Sequence, residues 1–178
     1  MAERRIAEGV PTTDDPRPGV PRPDAKGIVC FISNYSWLDG LSHTGLRERF
    51  LEAFDSIEID CLNGDKYKTG KKTPDGKPDP SVFSTAKNPE GIQVGTAIAL
   101  LERWPGRTDE TPPPEAFHPR AKIGFRHWWG KNKRAEIAAS LENPAPPAPL
   151  SPALKLGLPF VPVGVRADYE NWSLLTEL

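Results

Sequence analysis

The strongest constraint on the fold is the order of apolar segments between residues 27 and 63. A continuous apolar run from Ile28 to Ile32 predicts a strand buried on both faces, as in a parallel sheet. An amphipathic helix is expected next, with Ser42 as its N-cap and a buried stripe at Leu46, Phe50 and Phe54. A second strand follows, in which apolar residues alternate with polar ones at Ile57, Ile59 and Cys61. The order strand, helix, strand predicts a right-handed βαβ unit.

A lysine-rich stretch from Asn63 to Asn88 separates this unit from a third strand. It contains Gly, Pro and Asp and few side chains that could pack, so we expect a long loop. The segment Ile92 to Leu101 is rich in Val, Ile, Ala and Leu and predicts a strand antiparallel to the second one. The predicted fold class is therefore α/β.

Proline clusters set the expected domain boundaries. The chain has 21 prolines in 178 residues, and proline lacks a backbone donor and favours extended linkers. We expect a disordered Pro-rich leader over residues 1–25, an α/β domain over 26–105 and a Pro-rich linker over 106–121. A basic aromatic segment follows at 122–142, containing a short strand or turn and a helix over 131–141. Residues 143–178 are expected to be a Pro-rich linker and the start of another domain.

Charge and cysteine content narrow the function classes only slightly. The net charge of −1 does not indicate a particular binding partner. Cys30 and Cys61 lie in apolar runs and are expected to be buried thiols in a reducing compartment, with no metal site. No apolar run approaches the length of about 20 residues that spans a bilayer, so we expect a cytoplasmic protein with no membrane partner. Walker and dinucleotide glycine loops and a hydrolase triad are absent from the sequence.

The run Gly-Ile-Val-Cys-Phe-Ile-Ser-Asn-Tyr-Ser-Trp-Leu-Asp-Gly at 27–40, with the charged helix after it, resembles a known family. It is similar to the adenine-N6 DNA methyltransferase domain of type ISP and type IIG restriction–modification enzymes. Further matching pieces are Asn63-Gly64, the lysines from 66 to 77, Val82-Phe83, the strand from Gly95 to Leu101, and the basic aromatic segment from Phe125 to Arg134. The resemblance covers residues 26–141. It implies an incomplete doubly wound, class I methyltransferase-like sheet with Pro-rich linkers. It also implies that the domain beginning within residues 143–178 is a target-recognition domain.

Two motifs of that family are missing from the 178 residues. One is the glycine-rich loop that shapes the backbone around S-adenosylmethionine. The other is the catalytic tetrapeptide of Asn, Asp or Ser followed by Pro-Pro and an aromatic, for which Asn88-Pro89 and Asn143-Pro144 are no substitute. The resemblance implies S-adenosylmethionine as cofactor of the intact enzyme. For this chain alone we expect no cofactor binding, no catalytic residue and no activity.

The resemblance also implies site residues. Phe83 matches the aromatic that contacts the target base, since an extruded base needs a ring to stack on, although it could instead pack the loop onto the sheet. Asn34 and Trp37 follow a strand end, where open α/β sheets bind ligands, but a loop-shaping role is the stronger expectation. Expected contacts to double-stranded DNA are the cations Lys66, Lys68, Lys71, Lys72, Arg126, Lys131, Lys133 and Arg134.

Two functions remain open at this point. The first is a fragment of a site-specific adenine DNA methyltransferase of a restriction–modification system, with the missing half or another subunit as partner. The alternative is a non-enzymatic DNA-contacting remnant or specificity partner.

Overall fold

A computed structural model of the protein describes residues 25–105 and 119–164. The strands are β1 (Gly27–Asn34), β2 (Ser56–Asn63), β3 (Thr96–Arg103), β4 (Lys122–His127) and β5 (Ala148–Leu150). The α-helices are α1 (Thr44–Ala53) and α2 (Lys133–Ser140). Short 3₁₀ turns cover Tyr35–Leu38, Leu41–His43 and Leu154–Leu156. The expected leader and most of the expected linker at 106–121 lie outside the described residues.

The five strands form one mixed sheet in the order β1-β3-β2-β4-β5. Strand β3 is antiparallel to both β1 and β2, which confirms the predicted pairing of the second and third strands. The strands β1 and β2 are therefore parallel to each other but not adjacent, because β3 lies between them. The predicted βαβ unit is therefore correct in the parallel direction of β1 and β2, but these two strands are not neighbours in the sheet. Strand β4 adds a parallel pair with β2.

The prediction that β1 is buried on both faces is wrong. This strand is the edge of the described sheet, and its residues alternate between half-buried and exposed. Ile28 and Ile32 are 66% and 49% exposed, and Cys30 is exposed as well. The prediction of two buried thiols holds only for Cys61. A continuous apolar run predicts burial, but residue type alone does not show which neighbours cover the strand.

The stripe predicted for helix α1 is confirmed at Phe50 and Phe54 and wrong at Leu46. Leu46 is 41% exposed, whereas Phe50, Leu51 and Phe54 are buried in the core that covers one face of the sheet. Ser42 is not the N-cap, because it lies within a 3₁₀ turn and the helix begins at Thr44 with no side-chain cap.

Arg47 of α1 is fully buried and connects three backbone segments. Its guanidinium donates to the carbonyl oxygens of Trp37 at 2.6 Å, Gly40 at 2.9 Å and Gly157 at 2.7 Å. These backbone carbonyls accept hydrogen bonds from most of the N–H groups of the buried guanidinium, which offsets the cost of burying its charge. Arg47 thereby fixes the loop after β1 against a segment more than a hundred residues later.

The segment after residue 143 is part of the same core. Strand β5 pairs antiparallel with β4, and Pro147 packs so closely over Gly124 that a Cβ there would lie 2.4 Å from the proline ring. Leu158 and Phe160 are completely buried in the core, and the Phe160 amide donates to the Leu38 carbonyl at 2.7 Å. The expected boundary at residue 143 therefore does not separate this segment from the sheet. None of the helices described is long and apolar enough to cross a membrane.

Candidate nucleic-acid interface

The lysine-rich loop between β2 and β3 is ordered around two buried carboxylates. Asp65 accepts hydrogen bonds from the amides of Tyr67 and Lys68 at 2.6 Å each and from the Gly95 amide at 2.8 Å. Burial raises the pKa of Asp65, but these amides and the Tyr35 hydroxyl outweigh it and hold that pKa below the usual value. The carboxylate therefore stays ionised and anchors the start of the loop to the start of β3.

Asp79 connects the same loop to the segment before α2. Its carboxylate accepts from the Gly64 amide at 2.8 Å and the Gly130 amide at 2.7 Å, and it pairs with the Lys133 ammonium at 2.7 Å. Lys133 also donates to the Leu62 carbonyl at 2.6 Å. Asp79 is fully buried and Lys133 is 1% exposed. The expectation of an exposed cation at Lys133 is therefore wrong, because its charge is neutralised inside the protein.

The two connected segments border an open groove. Its floor is Ile32, Leu62 and Ile98, on the sheet face that the core leaves uncovered. Its other lining residues come from the loop, at Val82, Phe83 and Thr85, and from α2, at Arg134 and Ile137. The cavity volume is about 360 Å³. Phe83 is 41% exposed, so part of its ring is open to solvent. The structure thus brings together two of the predicted site residues, Phe83 and Arg134.

The remaining predicted cations fall into two groups. Those with ionic partners are Lys66 and Lys71, both beside Glu90, Lys68 beside Asp39, and Arg126 beside Asp60. Within residues 25–105 and 119–164, Lys72, Lys131 and Arg134 are exposed and have no ion-pair partner. These three side chains are the cations best placed to meet an external phosphate.

Arg126 is held on the sheet by a bidentate contact. Its Nε and Nη2 donate to the two oxygens of Asp60 at 2.6 and 3.0 Å, and the Trp128 indole donates to Oδ1 of the same carboxylate at 2.9 Å. The Asp60 hydrogen bonds hold the pKa of Arg126 above its usual value. A fork-to-carboxylate contact of this kind is strong and directional, so Arg126 and Trp128 anchor the segment.

Asn34 and Trp37 shape the loop after β1. The Asn34 carboxamide accepts from the Ser36 amide at 2.6 Å and begins the 3₁₀ turn. Trp37 is 6% exposed, and its indole donates to the Ser33 hydroxyl at 3.1 Å. Both side chains are engaged locally, and no glycine-rich loop follows β1. Nor do three metal-ligating side chains cluster anywhere in the described ranges.

A second groove lies beside Trp129. It is lined by the turn from Thr73 to Pro78 and by Trp129, Gly130 and Lys131, with a cavity volume of about 380 Å³. The Trp129 ring stacks on His127 at a centroid distance of 5.3 Å. Burial lowers the pKa of His127, which favours a neutral imidazole at that contact.

Sequence reasoning missed Asp65, Asp79 and the internal role of Lys133. Asp79 carries a recognisable signal, since it is an acidic residue between two prolines in an otherwise basic loop. Each carboxylate also binds a backbone amide of a distant segment, Gly95 for Asp65 and Gly130 for Asp79, and residue type does not reveal such partners.

Together these elements form an open five-stranded mixed α/β sheet of the Rossmann-like kind, with two grooves beside its long loop. No protein-family model matches the sequence, and no curated protein matches it. Among solved structures, the DrdV–DNA complex is similar, with a TM-score of 0.51 and 22% identity over 75% of this chain and 11% of that chain. A nuclease-deletion mutant of the Type ISP restriction–modification enzyme LlaGI, in complex with a DNA substrate mimic, has a TM-score of 0.50. Its identity is 18% over 74% of this chain and 11% of that chain.

The ATP-dependent Type ISP restriction–modification enzyme LlaBIII bound to DNA also matches. Its TM-score is 0.45, with 22% identity over 66% of this chain and 7% of that chain. At these identities the likeness concerns the fold alone. The chain spans about a tenth of the length of the two better-fitting proteins, at 11% of each.

Proposed function

We propose that this chain supplies the DNA-facing, base-binding part of an adenine-specific DNA methyltransferase of a restriction–modification system. The observation that carries the proposal is the groove that Phe83 and Arg134 share on the open face of the sheet. The two residues lie 51 positions apart (134 − 83) and line the same groove, and the Asp79–Lys133 ion pair connects their segments. An aromatic ring beside a cation, over an apolar floor, suits a purine that has left the duplex.

The chemistry of the groove matches that ligand. A base that leaves the stack loses its neighbours, and an exposed ring such as Phe83 restores one stacking contact. Arg134 carries a charge that no described residue neutralises, so it can meet the phosphate next to the extruded base. The floor formed by Ile32, Leu62 and Ile98 offers no hydrogen-bonding side chain to compete with the base.

Nonspecific affinity for the duplex is assigned to Lys72, Lys131 and Arg134. Each phosphate that a protein cation neutralises releases condensed counterions, so binding weakens as salt rises. Lys66, Lys68 and Lys71 already face carboxylates, which reduces the gain from a phosphate contact. We therefore expect weak binding with a small salt slope.

Methyl transfer needs groups that the described residues do not offer. S-adenosylmethionine would supply the methyl group, and a polar tetrapeptide would accept hydrogen bonds from the adenine amino group. In our proposal both come from another polypeptide segment. Phe83 and Arg134 hold the base, and we derive no chemical step from them.

The test is a fluorescence-anisotropy titration of the 178-residue chain with a fully paired duplex at several salt concentrations. Removal of the charges at Lys72, Lys131 and Arg134 by alanine should flatten the log–log slope by roughly one unit per lost contact. The control is Lys26→Ala, which removes one positive charge just before β1, at a residue that lines neither groove. Equal slopes for wild type and the triple variant would overturn the assignment of the DNA surface.

A further inference from the structure

The groove beside Trp129 shares no lining residue with the groove beside Phe83. It combines one aromatic ring with two lysines, at positions 77 and 131. Aromatic rings interleaved with cations are the usual surface for single-stranded nucleic acid, because every base has a face that can stack.

One wall of this groove is prearranged. Gly130 has a φ of +85°, a backbone conformation that L side chains rarely adopt, and its amide donates to buried Asp79 at 2.7 Å. The Trp129 ring is half-buried and stacks on His127 with an interplanar angle of 27°. The ring therefore needs little further ordering when a ligand arrives, which reduces the entropic cost of binding.

The opposite wall is a tight turn. The Thr73 amide donates to the Lys77 carbonyl at 2.8 Å, and the Gly76 amide donates to the Thr73 carbonyl at 2.9 Å. Lys77 pairs with Asp75 at 2.7 Å and is well exposed. Lys131 on the Trp129 side has no ion-pair partner among the residues described. The lysine without an ion-pair partner, Lys131, is therefore the one on the same wall as the Trp129 ring.

We propose that this groove binds a nucleotide of single-stranded DNA, with the base stacked on Trp129 and the adjoining phosphate at Lys131. The proposal rests on the DNA-binding function above and adds a second contact to it. Stacking does not distinguish between bases, so this groove is expected to accept thymidine, whereas the Phe83 groove is assigned to adenine.

The probe is a fluorescein-labelled thymidine dodecamer, titrated against the full chain by anisotropy. Trp129→Leu should weaken binding about tenfold or more, whereas Trp129→Phe should retain most of the affinity because it keeps a ring. Lys131→Ala should lower the salt slope by roughly 0.7. The matched control is Trp104→Leu, because Trp104 is 52% exposed and lies outside this groove.

Photocrosslinking of a 5-iodo-2′-deoxyuridine dodecamer to wild-type protein gives a result that does not depend on how a variant folds. Crosslinks mapped by mass spectrometry to Trp129 support the proposal. Crosslinks at Phe83 only, or unchanged binding by a folded Trp129→Leu variant, overturn it. One combined result separates the two proposals. If binding of the dodecamer requires Trp129 but the salt slope for the paired duplex is unchanged when Lys72 and Arg134 are replaced, the duplex surface assigned above is wrong and the Trp129 site is supported.

Discussion

Asp79 and Lys133 form an ion pair that is closed off from solvent, with 2.7 Å between carboxylate and ammonium and side-chain exposures of 0% and 2%. The pair joins the loop that carries Phe83 to the helix that carries Arg134. Because the remaining Asp79 oxygen and the two glycine amides are also satisfied, the junction has few alternative arrangements. Asp79 also contacts the second groove, because it accepts from the amide of Gly130, which lies between Trp129 and Lys131.

Breaking this pair should destabilise the fold strongly. Asp79→Asn leaves a buried ammonium without its counter-charge, which typically costs about 3–5 kcal/mol. We expect a loss of that order in the free energy of unfolding measured by urea denaturation. The matched control is Asp75→Asn, which breaks the exposed pair with Lys77 in the same loop and should leave the denaturation midpoint unchanged. Equal losses in both variants would show that the Asp79 pair has no special role.

The two cysteines should differ sharply in reactivity. Cys30 is exposed on the edge strand, whereas Cys61 is buried and burial raises the pKa of its thiol to about 11. Titration of the native protein with a thiol-reactive chromophore should give one fast equivalent. The second should appear only on adding denaturant. Cys30→Ser should remove the fast phase, and a fast phase that persists in that variant would contradict the assigned burial.

The edge strand β1 should drive association of the isolated chain. Among the described strands its outer edge has no pairing partner over eight residues, and Ile28, Cys30 and Ile32 on one face carry no charge to discourage pairing. Sedimentation velocity should show concentration-dependent association that Ile28→Lys suppresses. The control Leu154→Lys alters a comparably exposed apolar residue, 56% exposed, away from that edge. A wild-type chain that stays monomeric at every concentration would argue against this role of β1.

Asp65 should make stability sensitive to acid. Its pKa in the folded state lies below the ordinary value of 3.8, because amides of Lys68, Gly95 and Tyr67 outweigh the effect of burial. A lowered pKa in the folded state contributes stability above the unfolded-state pKa, and that contribution is lost as pH falls through the folded-state pKa. Urea denaturation from about pH 6 to pH 3 should therefore show a steeper decline for wild type than for Asp65→Asn. If the free energy of unfolding falls equally with pH in wild type and Asp65→Asn, groups other than Asp65 cause the acid sensitivity.

Local patterns predicted most of the elements but not their neighbours. The alternation at Ile57, Ile59 and Cys61 correctly indicated β2, and the helix expected over 131–141 is present as α2. The prediction of burial for β1 is wrong because its continuous apolar run is typical of a strand covered on both faces. In this chain one face of the strand is exposed. Insertion of β3 between β1 and β2 depends on long-range pairing that no local window contains.

The candidate site was likewise predicted only in part from the sequence. Residue type identified Phe83 and Arg134, but sequence gave no sign that Lys133, next to Arg134, points inward to Asp79. A lysine is read as a surface charge by default, and its burial here depends on a carboxylate 54 residues earlier (133 − 79). The core role of Leu158 and Phe160 was not predicted, because prolines at 159 and 162 are typical of the linker expected over residues 143–178.

The central claim is that Phe83 receives an extruded adenine, and a comparison of two duplexes tests it most directly. One duplex is fully paired and the other carries a single unpaired adenine, for which the extrusion cost of a few kcal/mol is already met. We predict that wild type prefers the second duplex by about tenfold, that Phe83→Ala removes the preference, and that affinity for the paired duplex hardly changes. A Phe83→Ala variant that keeps the preference, or that loses affinity equally for both duplexes, would contradict the account.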